Sequence, residues 1–446
     1  MKTEKTQILC VSVLILSMLL TFYIEAALAE PLGKRVVLGN GITLLVSERP
    51  GVPMIVVDVL VKAGSVFEPD QKAGLANLTA GLLTRGTTKR SAMGIAQEID
   101  FMGASLSTSA DYDYMEAELV ILKRHSNKGL EILADILMNP VFANEEIEKK
   151  VREVQGELRK NEEDPRWVVE RRFLKSLFEN HPYGRAVEGN EEGIKRISRA
   201  DIVDFHSNYY VPNRTIIAIA GDITLHEAKD LIQKNFGNWH PKHIQENQIP
   251  LPQGPKETVS IKLDRKIAQS NIILGHLGIR RDNPDYYAIQ VMNYILGGGG
   301  FSSRLVNEIR DKRGLVYNVD SAYVSMKYSG YFRVELQTKN PSATDAIRLV
   351  VENIKKIRQN TVSEKELEDA KAHLIESLPL RIETDKEVAR NMALLEFYGL
   401  GLDYFDKYPV YIKAVGEKDI LRVAQEYLRP NRFVIVILAD MKEIKS

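Results

Sequence analysis

The sequence predicts an α+β fold in two domains. Its 446 residues exceed one ordinary domain, and 44% hydrophobic with 27% charged residues suits a soluble protein with sizeable cores. Strand-like and helix-like stretches come in blocks rather than in strict alternation, which favours α+β over a doubly wound sheet. Past the middle of the chain, the order of patterns begins again.

Taken in order, Lys2 and Lys5 precede an apolar run from Ile8 to Ile24, followed by Ala27-Leu28-Ala29. A basic start, an apolar stretch and small residues are what a signal peptidase reads, so residues 1–29 are expected to be a cleaved signal peptide and the mature chain to be secreted, into a periplasm in a Gram-negative host. The alternative is an uncleaved membrane anchor. Cys10 is the only cysteine and lies in this segment, so the mature chain has no thiol for a disulfide, a metal or a nucleophile.

Arg35 to Glu48 and Met54 to Ala63 alternate or run apolar with β-branched residues, which predicts two strands joined by a turn at Pro50-Gly51-Val52-Pro53. Helical spacing follows at Leu75–Leu83, Met93–Phe101, Ser126–Met138 and Glu145–Asn161, then a strand at Thr215–Ala220. Trp239 to Lys256 holds four prolines and few apolar residues and reads as a linker. The resulting division is residues 30–240 for an N-terminal domain, 241–256 for the linker and 257–446 for a C-terminal domain.

In the second half, strands are expected at Asn271–Leu277, Asp320–Ser325 and Tyr331–Gln337, with helices near Tyr286–Leu296 and from Ser342 onward. Phe142-Ala143-Asn144-Glu145-Glu146-Ile147-Glu148 can be laid on Val362-Ser363-Glu364-Lys365-Glu366-Leu367-Glu368, an offset of 220 residues that fits a repeated domain. Lys plus Arg and Asp plus Glu both total 60, so no net field argues for nucleic acid or an anionic membrane as partner.

The segment from Gly74 through Asn77, Ala80 and Gly81 to Thr87 resembles the signature helix of the pitrilysin/insulinase family of zinc metallopeptidases. Active members carry His-x-x-Glu-His there, where i, i+3 and i+4 share one helix face, so two imidazoles hold zinc while the carboxylate activates water. In this chain those positions are Asn77, Ala80 and Gly81, and neither a ligand nor a base remains. The family's third ligand lies about 76 residues beyond the second histidine, where Glu157 stands. One carboxylate cannot hold zinc, so Glu157 is expected to be a solvated side chain on a charged helix. None of the eight histidines, including His226-Glu227 with Asp230 where a zincin would place its second histidine, completes another metal motif.

The resemblance continues through His181-Pro182-Tyr183-Gly184-Arg185, Tyr210-Val211-Pro212-Asn213-Arg214 and Gly221-Asp222, and into the second half. It implies two homologous domains, each a mostly antiparallel mixed sheet packed with helices, forming a clamshell. Leu296 to Leu305 contains a glycine run without the Gly-Lys-Ser/Thr of a nucleotide loop. With Glu308 to Tyr317 it resembles the family's C-terminal-domain signature, in which an arginine and a tyrosine seven residues apart face the cleft. Arg310 and Tyr317 have that spacing, and Arg313 is the competing arginine. In relatives such a pair holds the substrate carbonyl and stabilises the oxyanion of the tetrahedral intermediate.

Some family members are two-chain enzymes in which one subunit has the metal motif and the other supplies the arginine and tyrosine. The expectation is a non-catalytic, substrate-binding subunit that binds no cofactor itself, pairs with a homologous zinc-bearing peptidase subunit and binds peptide. A peptide-binding or scaffold protein without protease activity is the alternative, and an independent zinc peptidase the remotest.

Overall fold

The computed structural model describes residues 31–244 and 248–444. The expected signal peptide, with Cys10, and part of the linker lie outside them. Among the described residues no helix is long and apolar enough to cross a membrane.

The first half contributes strands β1 (Lys34–Val37), β2 (Thr43–Glu48), β3 (Met54–Val61), β4 (Ser105–Ala110), β5 (Met115–Leu122) and β6 (Thr215–Gly221). Its helices are α1 (Leu75–Leu82), α2 (Ala92–Phe101), α3 (Ser126–Met138), α4 (Asn144–Glu163), α5 (Pro165–Phe178), α6 (Glu191–Arg196), α7 (Arg199–Tyr209) and α8 (Leu225–Phe236). The second half holds β7 (Val259–Asp264), β8 (Gln269–Gly278), β9 (Val316–Ser325), β10 (Gly330–Lys339) and β11 (Val434–Ala439). Its helices are α9 (Tyr286–Asn293), α10 (Ala343–Gln359), α11 (Glu364–Glu376), α12 (Asp385–Tyr398), α13 (Tyr404–Ala414) and α14 (Glu417–Tyr427).

The strand order is β1-β2-β6-β3-β5-β4 in the first sheet and β7-β11-β8-β10-β9 in the second. Each sheet is antiparallel except for one pair, β2 with β6 and β7 with β11, at the same place in the order. Apart from the extra β1, the two halves have one topology, as the repeat in the sequence predicts. The expectation of two strands over Arg35 to Glu48 and Met54 to Ala63 is corrected: the first stretch is itself a hairpin of two strands, and β6 lies between β2 and β3. Hydrophobic patterning cannot reveal this, because β6 joins from about 150 residues further along the chain.

One face of each sheet is covered by helices of its own half. Leu44, Val46, Val57, Val59, Ile217 and Ile219 meet Leu75, Ile95, Leu133 and Ile232 in the first core. The opposite faces are covered by exchange. Helix α5 of the first half lays Val169, Phe173 and Leu177 on Ile273, Val434, Val436 and Leu438 of the second sheet. Helix α12 of the second half lays Val388, Ala389, Met392 and Ala393 on Leu45, Val56, Leu60 and Ala218 of the first. Both helices have 14 residues and start 220 positions apart, the offset at which the repeat was read. The halves are therefore joined through two buried apolar layers as well as by the connecting segment.

That segment has no helix or strand among its described residues between Phe236 and Val259. Trp239, where the linker composition begins, is nevertheless buried against Phe236 as part of the first core.

Candidate functional site: a vacated metal face and an exposed Arg/Tyr pair

Helix α1 opens at Gly74, whose φ of +102° places it in the left-handed region that glycine tolerates. Glu68 caps the opening: its Oε2 accepts from the Gly74 N–H at 3.2 Å and its Oε1 from the Ala76 N–H at 2.7 Å. Burial pushes this carboxyl up to about 8, against the opposing pull of those two bonds and of Arg185. The cap fixes α1 beside β4, where the Thr108 hydroxyl donates to the Ala80 carbonyl at 2.8 Å.

On this helix Ala80 is fully buried, while Asn77 and Gly81 are half-buried. A Cβ on Gly81 would lie 2.6 Å from Cε and 3.4 Å from Nζ of Lys150, so the lysine of α4 lies across Gly81, where the resemblance expects the motif's second histidine. Glu157, on the same helix as Lys150 and two turns further on, is exposed and makes no ion pair or hydrogen bond among the described residues. Among the described residues no group of three His, Cys, Asp or Glu side chains could hold a metal ion. The residues present do not fit zinc, which needs three or four convergent ligands.

His181 and His276 are buried in the core, and His206 is half-buried. His206 lies 2.9 Å from the Leu137 carbonyl through Nε2, and His276 bonds the Leu277 carbonyl through Nδ1 while Nε2 accepts from the Arg429 N–H. Burial lowers both, and His181 likewise, to about 4, so all three are neutral near pH 7. His226 and Asp230 are exposed and 3.6 Å apart.

In the second half, α9 runs on as a wide turn through Tyr294–Gly298. The turn is pinned to β9 by two buried bonds: Ser321 Oγ donates to Asn293 Oδ1 at 2.8 Å, and Asn293 Nδ2 to the Ser321 carbonyl at 3.1 Å. Gly297 is required for this approach, since a Cβ there would lie 2.8 Å from the Ser321 nitrogen. The glycine run thus serves backbone packing. A second wide turn, Val306–Asp311, carries Arg310, and β9 begins with Val316 and Tyr317.

Tyr317 is 74% exposed, on a strand that pairs on one side only. Arg310 is partly exposed; its guanidinium lies over the exposed Phe301 ring, 5.0 Å from the centroid, and 4.0 Å from Asp311. The competing Arg313 is engaged: its Nη1 donates to the Glu308 carbonyl at 2.6 Å and to Glu308 Oε2 at 2.9 Å. With Lys312 it holds the Glu308 carboxyl down at about 2. Arg310 is therefore the arginine with hydrogen-bonding capacity to spare.

Comparison with known proteins places this architecture. Residues 44–191 match the model described as Insulinase (Peptidase family M16), and residues 196–374 the model described as Peptidase M16 inactive domain. The chain belongs to the insulinase family of peptidases, M16. A Bacillus subtilis (strain 168) relative described as an uncharacterized zinc protease is 27% identical over 80% of this chain and 87% of its own. A Helicobacter pylori relative described as a non-peptidase homolog is 24% identical over 91% of this chain and 93% of its own. The crystal structure of a peptidase M16 inactive domain from Pseudomonas fluorescens superposes with a TM-score of 0.86, at 27% identity, over 91% of this chain and 97% of that one. Within M16 this chain is a non-catalytic member, as the inactive-domain model and the non-peptidase homolog it resembles support.

Sequence reasoning passed over two residues that shape these sites. Lys150 stands seven residues before Glu157, on one helix face, but it meets Gly81 only once α4 is docked on α1. Phe301, the platform under Arg310, had no periodic signal because it lies in a turn.

Proposed function

We propose that this chain is the non-catalytic, substrate-holding subunit of a secreted, heterodimeric zinc endopeptidase. Its partner is a homologous subunit with an intact His-x-x-Glu-His motif and the zinc. Arg310 and Tyr317 are offered to that zinc site, where a guanidinium and a phenol hydroxyl can hold a peptide carbonyl and the oxyanion that develops from it.

The observation that carries this reading is the contrast between the two sites. The metal face is occupied by the chain's own Lys150, whereas Arg310 and Tyr317 remain exposed and Arg313 beside them is tied down. An exposed tyrosine and a cation–π-mounted arginine add little to this chain's own stability. Peptide is taken up along β4, which pairs only with β5 and so leaves one row of backbone groups for an added strand.

The test is to express the mature chain alone and together with a zinc-bearing homologue from the same organism, and to assay unfolded peptides. Activity that appears only in the complex supports the proposal. Hydrolysis by the zinc-supplied chain alone sinks it, and a chain that copurifies only with structural partners is a scaffold.

A further inference from the structure

The face that lost the zinc ligands is filled. Lys150 extends from α4 across Gly81, with its side chain only 18% exposed, and its ammonium lies 3.4 Å from Glu153 Oε2. Glu153 in turn accepts from Arg85, just beyond the end of α1, at 2.9 and 3.0 Å, and Arg85 lies 4.0 Å from Glu146. Acidic and basic side chains thus alternate across the α1–α4 contact, above the apolar cluster of Leu78, Val154, Leu158 and Ile194.

We infer that Lys150 has taken over the metal's place as a built-in cation that fills the face of α1 at Gly81 and keeps divalent ions out of it. In a metal-bearing helix pair the positive charge at this face is the ion; in this chain it is an ammonium covalently part of α4. Gly81 is the counterpart of that change, because any larger residue would move the end of the lysine side chain, Cε and Nζ, off this face. A divalent ion near Asn77 and Gly81 would meet an ammonium at contact range in a half-buried setting, where screening by water is weakened. The inference concerns this helix pair alone and does not depend on the heterodimer reading.

A double-mutant cycle tests it without any metal. With Lys150 present, Gly81→Ala should lower the melting temperature, because the new Cβ displaces the lysine; in a Lys150→Ala background the same change should raise it, as Gly→Ala in a helix ordinarily does. A shift of the same sign in both backgrounds overturns the inference. A second arm rebuilds the motif as Asn77→His, Ala80→Glu, Gly81→His and titrates zinc by calorimetry. At least tenfold tighter binding is expected once Lys150→Ala is added, and equal affinity, or no binding in either background, overturns the exclusion of metal.

Discussion

Arg390, on the exchanged helix α12, places its Nη1 2.8 Å from Oε1 of Glu116 in the first sheet. One turn away, Lys386 meets Glu118 at the same distance. Asp58 on β3 is the direct cross-strand partner of Glu118 and is 1% exposed. The seam between α12 and the sheet therefore holds three carboxyls against two cations, with Asp111 and Tyr114 close by. Burial first, and the Glu116 charge second, push Asp58 up to about 8.

This makes stability depend on pH in a definite direction. Between the ordinary 3.8 of an aspartate and about 8, the folded chain holds a proton on Asp58 that the unfolded chain has released. The Asp58 contribution is then complete below pH 3.8 and is lost as pH rises through 8. Asp58→Asn removes the dependence. The variant should gain on the wild type as pH rises, by about 2 kcal/mol or more at alkaline pH. Thermal unfolding of both proteins at mildly acidic and mildly alkaline pH measures this, and a pH-independent difference would exclude a neutral Asp58.

The exchange of α5 and α12 predicts that the halves unfold together. Met392 and Phe173, both fully buried, each pack on the sheet of the other half. Truncating either to alanine should cost about 2–5 kcal/mol. Because each sheet loses a face when its borrowed helix leaves, either variant should lower a single calorimetric transition. Two separated transitions, with Phe173→Ala moving only one, would show that the layers are not coupled.

Glu68 gives a sharper local test. Glu68→Ala removes the acceptor for two buried N–H groups at the start of α1, with an expected loss of about 1–3 kcal/mol. Glu68→Gln keeps one acceptor oxygen and should lose less. Hydrogen exchange at Gly74 and Ala76 reads the cap directly: exchange should quicken more in the alanine variant than in the glutamine variant.

What the sequence revealed, and what it hid, follows the range of the forces involved. Helices α1 to α4 were legible because their apolar spacing is local, and the 220-residue repeat forecast two like-built halves. The edge hairpin β4–β5 was missed, because Ser105–Ala110 is a run of small and polar residues and buries little. The exchange of α5 and α12 was hidden for another reason: amphipathic spacing shows that a helix has a buried face, not which sheet receives it. At the site, the missing ligands were plain from residue identity. Lys150 over Gly81 was not, since that contact exists only once α4 is docked on α1.

Arg310 and Tyr317 supply the decisive functional experiment, because both are exposed enough to change without harming the fold. Arg310→Ala and Tyr317→Phe should each leave the melting temperature of the isolated chain nearly unchanged, within about 0.5 kcal/mol of stability. In a reconstituted complex with a zinc-bearing partner, each should lower kcat by about 10²–10³ if the side chain meets the developing oxyanion, with a smaller effect on KM. Phe301→Ala, which removes the ring beneath the Arg310 guanidinium 5.0 Å away, should act in the same direction but more weakly, since it loosens the arginine without deleting it. An effect confined to KM would place the pair in substrate capture. An unchanged rate in all three variants, with the complex intact, would leave this chain a structural partner only.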